Sequence, residues 1–78
     1  MAAEKSGKIS YLGAYKWGGR FRVDDYEKDF IIDSRRENYS ALYSLAMAAA
    51  ANRLRIKVVA DDLTEEGIHP VNSLHAYW

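Results

Sequence analysis

The amino-acid sequence predicts a small α+β domain that is mostly β, with five strands and one helix in the order β-β-β-α-β-β. Residues 53–59 alternate basic and apolar side chains with the period of two that a half-buried strand shows. Residues 39–50 instead repeat apolar side chains at helical spacing. A glycine pair at residues 18–19 predicts a hairpin. A chain of 78 residues has room for one such domain.

The N-terminal part of the chain predicts a disordered leader followed by a β-hairpin. Residues 1–7 are small and polar, as frayed ends usually are, so the single domain is expected over residues 8–78. The first strand is expected to end at Tyr15, and Gly13 within it predicts a bulge or a bend. The run Trp17-Gly18-Gly19-Arg20 predicts the turn, because paired glycines accept the positive φ of tight hairpins.

The remaining strands follow from short apolar or alternating runs. They are expected at residues 20–23, 30–32, 53–59 and 71–78. A polar connection over residues 24–29 joins the second strand to the third. An acidic loop over residues 61–70 precedes the last strand, and its Pro70 suits the first position of a strand, where a missing amide does no harm.

The helix is expected over about residues 35–52. The run Ser34-Arg35-Arg36-Glu37 matches a capping box, in which the serine and glutamate side chains satisfy free backbone amides, and Asn38 is a competing N-cap. The apolar stripe consists of Tyr39, Leu42, Tyr43, Ala46, Met47 and Ala50. Asn52 is expected to end the helix in a left-handed conformation.

This order of elements is the layout of the OB (oligonucleotide/oligosaccharide-binding) fold, a five-stranded barrel with its helix between the third and fourth strands. The run YSALYSLAMAAA from Tyr39 to Ala50, followed by RLRIKV from Arg53 to Val58, resembles the helix-to-strand segment of small bacterial OB-fold proteins. The pentameric B subunits of AB-type toxins share that layout. The resemblance implies an OB-like barrel and assigns no binding residue. A ferredoxin-like or other α+β sandwich is the alternative architecture, although residues 16–29 lack the early helix that a ferredoxin-like fold needs.

Composition narrows the class of protein. The chain has no cysteine, which excludes disulfides and thiolate chemistry, and such a small chain without disulfides is expected in the cytoplasm. A secreted form from which a leader peptide was removed fits the same composition. The apolar stretch at residues 46–51 is too short to span a membrane. Equal numbers of acidic and basic side chains remove the long-range attraction that polyanion-binding proteins usually show.

No constellation of side chains predicts an enzyme, a cofactor or a metal site. Ser40 and Ser44 lie on the helix without a histidine nearby in sequence, and His69 and His75 would meet only through the fold. The densest set of oxygen ligands is Asp61, Asp62, Glu65 and Glu66, with His69 behind them. Their spacing does not match a calcium loop, so a solvated loop is predicted. A metal enzyme or hydrolase using Asp61, Glu65 and His69 is retained as the third hypothesis.

Cations and aromatic side chains predict the binding surface. The cations on outward strand faces are Arg20, Arg22, Arg53, Arg55 and Lys57. The aromatic candidates are Tyr11, Tyr15, Trp17, Tyr26, Tyr77 and Trp78. Aromatic rings beside cations are what a single-strand binder needs, whereas the acidic residues in the 24–29 connection oppose a polyanion. Exposed aromatic rings are also typical of interfaces between subunits.

The sequence therefore predicts a non-enzymatic binding or assembly module that works as a homo-oligomer. Tyr15, Trp17, Tyr77 and Trp78 are expected to contact another subunit or a ligand. The alternative is a single-stranded nucleic-acid-binding protein that uses the five strand-face cations. An oligosaccharide is the other ligand class that the predicted fold accommodates.

Overall fold

The computed structural model describes residues 3–78, and this range contains five strands and one helix. They are β1 (Ala3–Tyr15), β2 (Gly18–Val23), β3 (Asp29–Asp33), α1 (Tyr39–Ala51), β4 (Arg55–Ala60) and β5 (Ile68–Tyr77). The predicted mostly β character and the predicted element order are confirmed.

The strands form one sheet that closes on itself in the order β1-β2-β3-β5-β4. Neighbouring strands are antiparallel, except β3 and β5, which are parallel. Strand β1 serves both halves of the ring, because residues 3–8 pair with β4 and residues 9–15 pair with β2. The outer face of β1 therefore runs from one half of the sheet to the other.

The start of β1 corrects the predicted leader. Residues 3–7 pair with β4, so the prediction of a disordered segment is wrong over these residues, and residues 1 and 2 lie outside the described part of the chain. The composition of residues 3–7 led to the wrong prediction, because this part of β1 has short or polar side chains on both faces. Gly7 is buried opposite Ile56, while Ser6 lies exposed opposite Lys57.

The irregularity in β1 lies near Ser10 rather than at the predicted Gly13. The register with β2 shifts between Ile9 and Tyr11, which marks a bulge that lets the strand bend from one half of the ring to the other. Gly13 pairs regularly with Arg20. Its missing side chain matters for packing instead, because a Cβ there would lie 2.5 Å from the hydroxyl oxygen of Tyr11.

The hairpin turn consists of Lys16 and Trp17, two residues earlier than the predicted Gly18-Gly19 turn, so both glycines lie in β2. Gly18 has a φ of +140° and pairs with Asp33 of β3. A Cβ on Gly18 would collide with the carbonyl oxygen of Ile32, so this close approach of β2 to β3 requires glycine. Ser34, which follows β3, also holds the turn, because its N–H donates to the carbonyl of Trp17 at 2.9 Å.

The helix begins at Tyr39, so the predicted capping box at residues 34–37 is wrong. The Asp33 carboxylate accepts the Arg35 N–H at 2.9 Å and holds this segment in a turn instead. Asn38 occupies the N-cap position without a side-chain cap bond. Its Nδ2 group donates to the carbonyl of Asn72 on β5 at 3.3 Å.

The C-terminal end of the helix also differs from the prediction. Asn52 has a φ of −100°, and the left-handed residue is Arg53, with a φ of 54°. The Arg53 N–H donates to Ala50 and the Leu54 N–H donates to Ala49, at 3.4 and 2.9 Å. These two bonds form a Schellman motif, which places the left-handed conformation one residue beyond Asn52.

The last strand begins earlier than predicted. Ile68 is its first residue, so Pro70 lies at the third position and pairs in register with Ile31 of β3. The carbonyl of Pro70 accepts the Asp61 N–H at 2.8 Å. The parallel contact between β3 and β5 ends at this proline, as expected where the strand lacks an amide to continue the ladder.

The core fills the ring and extends under the helix. The rings of Phe21 and Phe30 stack with centroids 5.3 Å apart. The buried apolar side chains are Phe21, Val23, Phe30, Ile32, Leu42, Ala46, Ala49, Ile56, Val58, Ala60, Val71 and Leu74. Because inward residues alternate with outward ones along each strand, the core positions determine which side chains reach the outer face.

Candidate binding groove

A groove of about 650 Å³ lies on the outer face of the sheet, where the β1–β2 turn and the β4–β5 loop flank strands β2 and β3. Its lining residues are Tyr15, Lys16, Trp17, Arg20, Ile31, Asp33, Arg35, Thr64, Glu66, Ile68 and Pro70. They come from β1, β2, β3 and β5, from the β1–β2 turn, from the segment between β3 and α1, and from the β4–β5 loop. The closed sheet is therefore what brings them together.

Two aromatic rings form one wall of the groove. Tyr15 is 50% exposed and Trp17 is 56% exposed, although both are large apolar side chains. The guanidinium carbon of Arg20 lies 5.3 Å from the Tyr15 ring centroid, and Lys16 Nζ lies 5.2 Å from the Trp17 ring centroid. Each exposed ring thus has a cation against its face, an attractive arrangement.

The two arginines of β2 share one carboxylate. Arg20 Nη2 lies 3.1 Å from Asp29 Oδ2, and Arg22 donates to Asp29 Oδ1 through Nε and Nη2, both at 2.8 Å. Two cations on one anion leave a net positive charge on this part of the outer face. Lys16 adds another, since it has no ion pair among residues 3–78.

Asp33 and Arg35 form the rim of the groove next to Trp17. The Asp33 carboxylate accepts Arg35 Nε at 3.0 Å and Nη2 at 2.7 Å, in addition to the Arg35 backbone N–H. These hydrogen bonds lower the pKa of Asp33 to about 2. The same hydrogen bonds hold the guanidinium carbon of Arg35 6.0 Å from the Trp17 ring centroid.

Tyr11 extends the aromatic wall along β1. Its hydroxyl and that of Tyr15 are hydrogen-bonded to each other across Gly13, where the absence of a side chain leaves room for both rings. This hydrogen bond raises the pKa of the Tyr11 hydroxyl above its ordinary value. Tyr11 also pairs in register with Arg22, so an aromatic side chain again lies beside a cation.

The groove has an apolar floor and an acidic side. Ile31, Ile68 and Pro70 supply the floor, and Glu66 lies on the side opposite the aromatic wall. Among residues 3–78, the two buried side-chain atoms without a hydrogen-bond partner are Arg20 Nε and Thr64 Oγ1. Both belong to groove residues, which is notable because buried polar atoms are usually paired.

The sequence-predicted binding residues do not form one surface. Tyr15, Trp17 and Arg20 line the groove, and Arg22 lies next to it on β2. The other predicted residues lie at the β4–β5 side of the ring. They are Arg53, Arg55, Lys57, Tyr77 and Trp78. The cations of β2 and those of β4 therefore lie in different parts of the sheet, because β4 is not adjacent to β2.

The β4 cations themselves differ in their surroundings. Lys57 Nζ lies 3.2 Å from Glu4 Oε1 and is neutralised by it. Arg55 pairs in register with Lys8 on one side and with Tyr77 on the other. Arg55 and Lys8 have no ion pair within the described part of the chain.

Asp61 of the acidic loop and His69 are both held by structural contacts. His69 is 4% exposed; its Nδ1–H donates to the carbonyl of Asp61 at 2.7 Å, and its Nε2 accepts the Tyr26 hydroxyl at 2.5 Å. The Asp61 carboxylate accepts Asn72 and Arg36, and these bonds lower its pKa. His75 is exposed and does not meet His69. Within residues 3–78, no three histidine or acidic side chains are grouped to hold a metal ion.

Several groove residues were not predicted from the sequence. They are Lys16, Ile31, Asp33, Arg35, Thr64, Glu66, Ile68 and Pro70. Asp33 and Arg35 carried a usable signal, because an aspartate that ends a strand and is followed by a basic residue can bond the backbone two residues on. The capping-box interpretation of residues 34–37 obscured it. The others have no local signal, since their place in the groove comes from strand pairing.

Comparison of the chain with protein-family models, curated proteins and solved structures finds no match in any of the three. Within residues 3–78, the single helix is too short to cross a bilayer. The assignment of a binding site therefore rests on the geometry of the groove.

Proposed function

We propose that the closed sheet is an OB-type barrel and that the chain is a non-enzymatic binding module. The proposal is supported by the helix between β3 and β4, by the parallel contact of β3 with β5, and by the ring closure through β1. In OB folds the ligand lies on the face of the second and third strands, between the loops that follow the first and fourth strands. The groove has this position.

The ligand class that we propose for the groove is single-stranded nucleic acid. The observation that carries the proposal is the pair of exposed rings, Tyr15 and Trp17, each with a cation against its face. Unpaired bases stack on such rings, and the neighbouring cations neutralise the phosphates. The apolar floor formed by Ile31, Ile68 and Pro70 gives the bases a surface that excludes water.

The charges in the groove predict modest rather than tight binding. Lys16 and the Arg20–Arg22–Asp29 group each leave one positive charge, the Asp33–Arg35 pair cancels, and Glu66 adds one negative charge. The groove therefore carries a net charge of about +1, so about one phosphate would be neutralised, which corresponds to a slope of roughly −0.7 in log K against log salt for a single strand.

Replacement of Trp17 by alanine tests the proposal. We expect Trp17→Ala to weaken binding of a fluorescein-labelled oligothymidylate by about 5- to 100-fold, the loss of one stacked base, while Trp17→Phe retains most of the affinity. The measurement is fluorescence anisotropy at about 0.05 M and 0.2 M salt. Trp17 is half exposed in a turn, so neither substitution disturbs the core.

Met47→Ala is the matched control, because Met47 is an exposed apolar residue on the outer face of α1, outside the groove lining. It should leave the affinity unchanged. Equal affinities of wild type and Trp17→Ala would contradict the proposal. So would salt-independent binding of a neutral oligosaccharide combined with no binding of the oligothymidylate, which would assign the groove to the other ligand class of OB folds.

Self-association is a second candidate function, favoured by the exposure of Trp78. Its side chain is 98% exposed, and the neighbouring Tyr77 is half exposed. Such rings are enriched at subunit interfaces, and burial of Trp78 against a second copy would remove a large apolar surface from water. The homo-oligomer predicted from the sequence would then form at the β4–β5 side of the ring, away from the groove.

Light scattering across micromolar concentrations tests self-association. We expect a mass above 8.9 kDa that rises with concentration for the wild type, and a monomer for Trp78→Ser. Trp17→Ser removes an equally aromatic side chain from the groove and should not change the mass. A strictly monomeric wild type would refute this candidate and would leave the groove proposal intact.

A further inference from the structure

We infer that a bound single strand leaves the groove along the outer face of β1 and contacts a second site, the basic cluster of Lys8, Arg53 and Arg55. This inference rests on the proposed function of the groove and specifies the length and course of its ligand. It has its own observation, which is a pair of like charges that the fold places opposite each other.

Lys8 and Arg55 are direct register partners in the antiparallel β1–β4 ladder, and both side chains are exposed. Like charges directly opposite on neighbouring strands destabilise a sheet. No carboxylate forms an ion pair with Lys8, Arg53 or Arg55 within residues 3–78. By contrast, Arg20, Arg22, Arg35, Arg36 and Lys57 each have an acidic partner.

Arg53 adds a third cation next to this pair and faces a hollow. The hollow measures about 550 Å³ and is lined by Lys8, Ile9, Ser10, Asp24, Ala50, Ala51 and Arg53. Asp24 is its acidic residue, so the cations outnumber the anion. An anionic ligand would relieve the repulsion between these cations, and a single strand already held in the groove provides phosphates close by.

The path between the two sites is the outer face of β1. Tyr15, Gly13 and Tyr11 lie on the face that pairs with the outward residues of β2, and Lys8 continues this face after the bulge. Lys8 lies seven positions before Tyr15, a path of at most about 23 Å at the usual rise of a strand. Arg22 lies beside Tyr11 midway along it. Aromatic and basic side chains therefore follow one another from the groove to the basic cluster.

Oligonucleotide length separates the two sites. A strand of about four nucleotides fits the groove alone, whereas one of about twelve nucleotides reaches the basic cluster, and both lie within the site sizes of single OB folds. We expect Lys8→Gln/Arg55→Gln to weaken binding of the longer oligothymidylate roughly tenfold at about 0.1 M salt, with the salt slope reduced by about 1.4. Binding of the short oligothymidylate should not change.

The same double variant has a readout that needs no ligand. Because it removes the opposed charges, Lys8→Gln/Arg55→Gln should unfold at a higher urea concentration than the wild type. Lys5→Gln is the matched control, since Lys5 is an exposed cation of the same strand that packs over the Tyr26 ring and pairs in register with Val58 rather than with Arg55. It should leave the binding of both oligothymidylates unchanged. Lys8→Arg/Arg55→Lys keeps both charges and should restore long-strand binding.

The outcomes distinguish the two proposals. If the wild type binds both lengths with equal affinity, or if Lys8→Gln/Arg55→Gln affects neither length, the extended path is refuted while the groove proposal stands. If neither length binds, the proposed function itself fails. A weaker affinity for the long strand alone, together with a more stable fold, is the result that the inference predicts.

Discussion

Asp33 shows how a single residue shapes the rim of the groove. It ends β3, its carboxylate accepts three N–H groups of Arg35, and the turn that it makes places the Arg35 guanidinium beside Trp17. The carboxylate is needed in its ionised form, because only that form accepts all three bonds. Protonation of Asp33 should therefore weaken the Asp33–Arg35 hydrogen bonds that form the rim.

Acid should weaken the fold partly through this residue. The pKa of Asp33 in the folded chain is about 2, below the value near 3.9 expected when unfolded. A depressed pKa stabilises the fold above the unfolded value, and this contribution is lost as the pH falls through about 2. Arg35 is 76% exposed, so solvent screening limits the effect to roughly 1 kcal/mol.

Urea unfolding of wild type and Asp33→Asn at about pH 6 and pH 2.5 measures this contribution. The difference in unfolding free energy should be largest at the higher pH and should shrink at the lower. Asp25→Asn removes an exposed carboxylate from the β2–β3 connection and serves as the control. A difference that is equal at both pH values would show that Asp33 does not act through its charge.

At the scale of the elements, the C-terminal end of α1 places Arg53 in the basic cluster. The Schellman motif requires a left-handed residue, and the sequence supplies Arg53 there instead of glycine. A residue with a Cβ pays a steric cost of about 1 kcal/mol in that conformation. The position of Arg53 in the cluster offers a functional reason why a cation occupies it.

Arg53→Gly should therefore raise the free energy of unfolding by about 0.5–1 kcal/mol. Arg53→Ala is the matched comparison, because it removes the same charge and keeps the steric cost of the Cβ. The midpoint of chemical unfolding should increase in the order alanine, then glycine. If the two variants are equally stable, the left-handed backbone at this position is not a source of strain.

At the scale of the whole molecule, local patterns predicted the elements and strand pairing produced the site. The period of two in residues 53–59 and the helical stripe from Tyr39 are local signals, and both elements were predicted. The polar strand at residues 3–7 has no apolar repeat and was missed. Tyr15 and Pro70 line the same groove only because of the strand order in the closed sheet, and no spacing in the sequence encodes that arrangement.

The closed sheet also separates the cations that the sequence predicts on the outward faces of two strands. Arg20 and Arg55 have the same alternating context, but β2 and β4 lie on different sides of β1. Zero net charge is therefore compatible with local basic regions. Asp29 and Asp33 neutralise part of the groove, whereas the Lys8–Arg55 pair has no acidic partner among residues 3–78.

The most direct test of the central claim uses the two tryptophans as internal probes. In a nuclear magnetic resonance titration with an oligothymidylate of about four nucleotides, the indole N–H signal of Trp17 should shift and saturate, while that of Trp78 stays in place. Trp17 lines the groove and Trp78 does not, so one spectrum reports on both the site and its control. A shift at Trp78 alone, or at neither ring under saturating oligothymidylate, would contradict the assignment of the groove as a nucleic-acid-binding site.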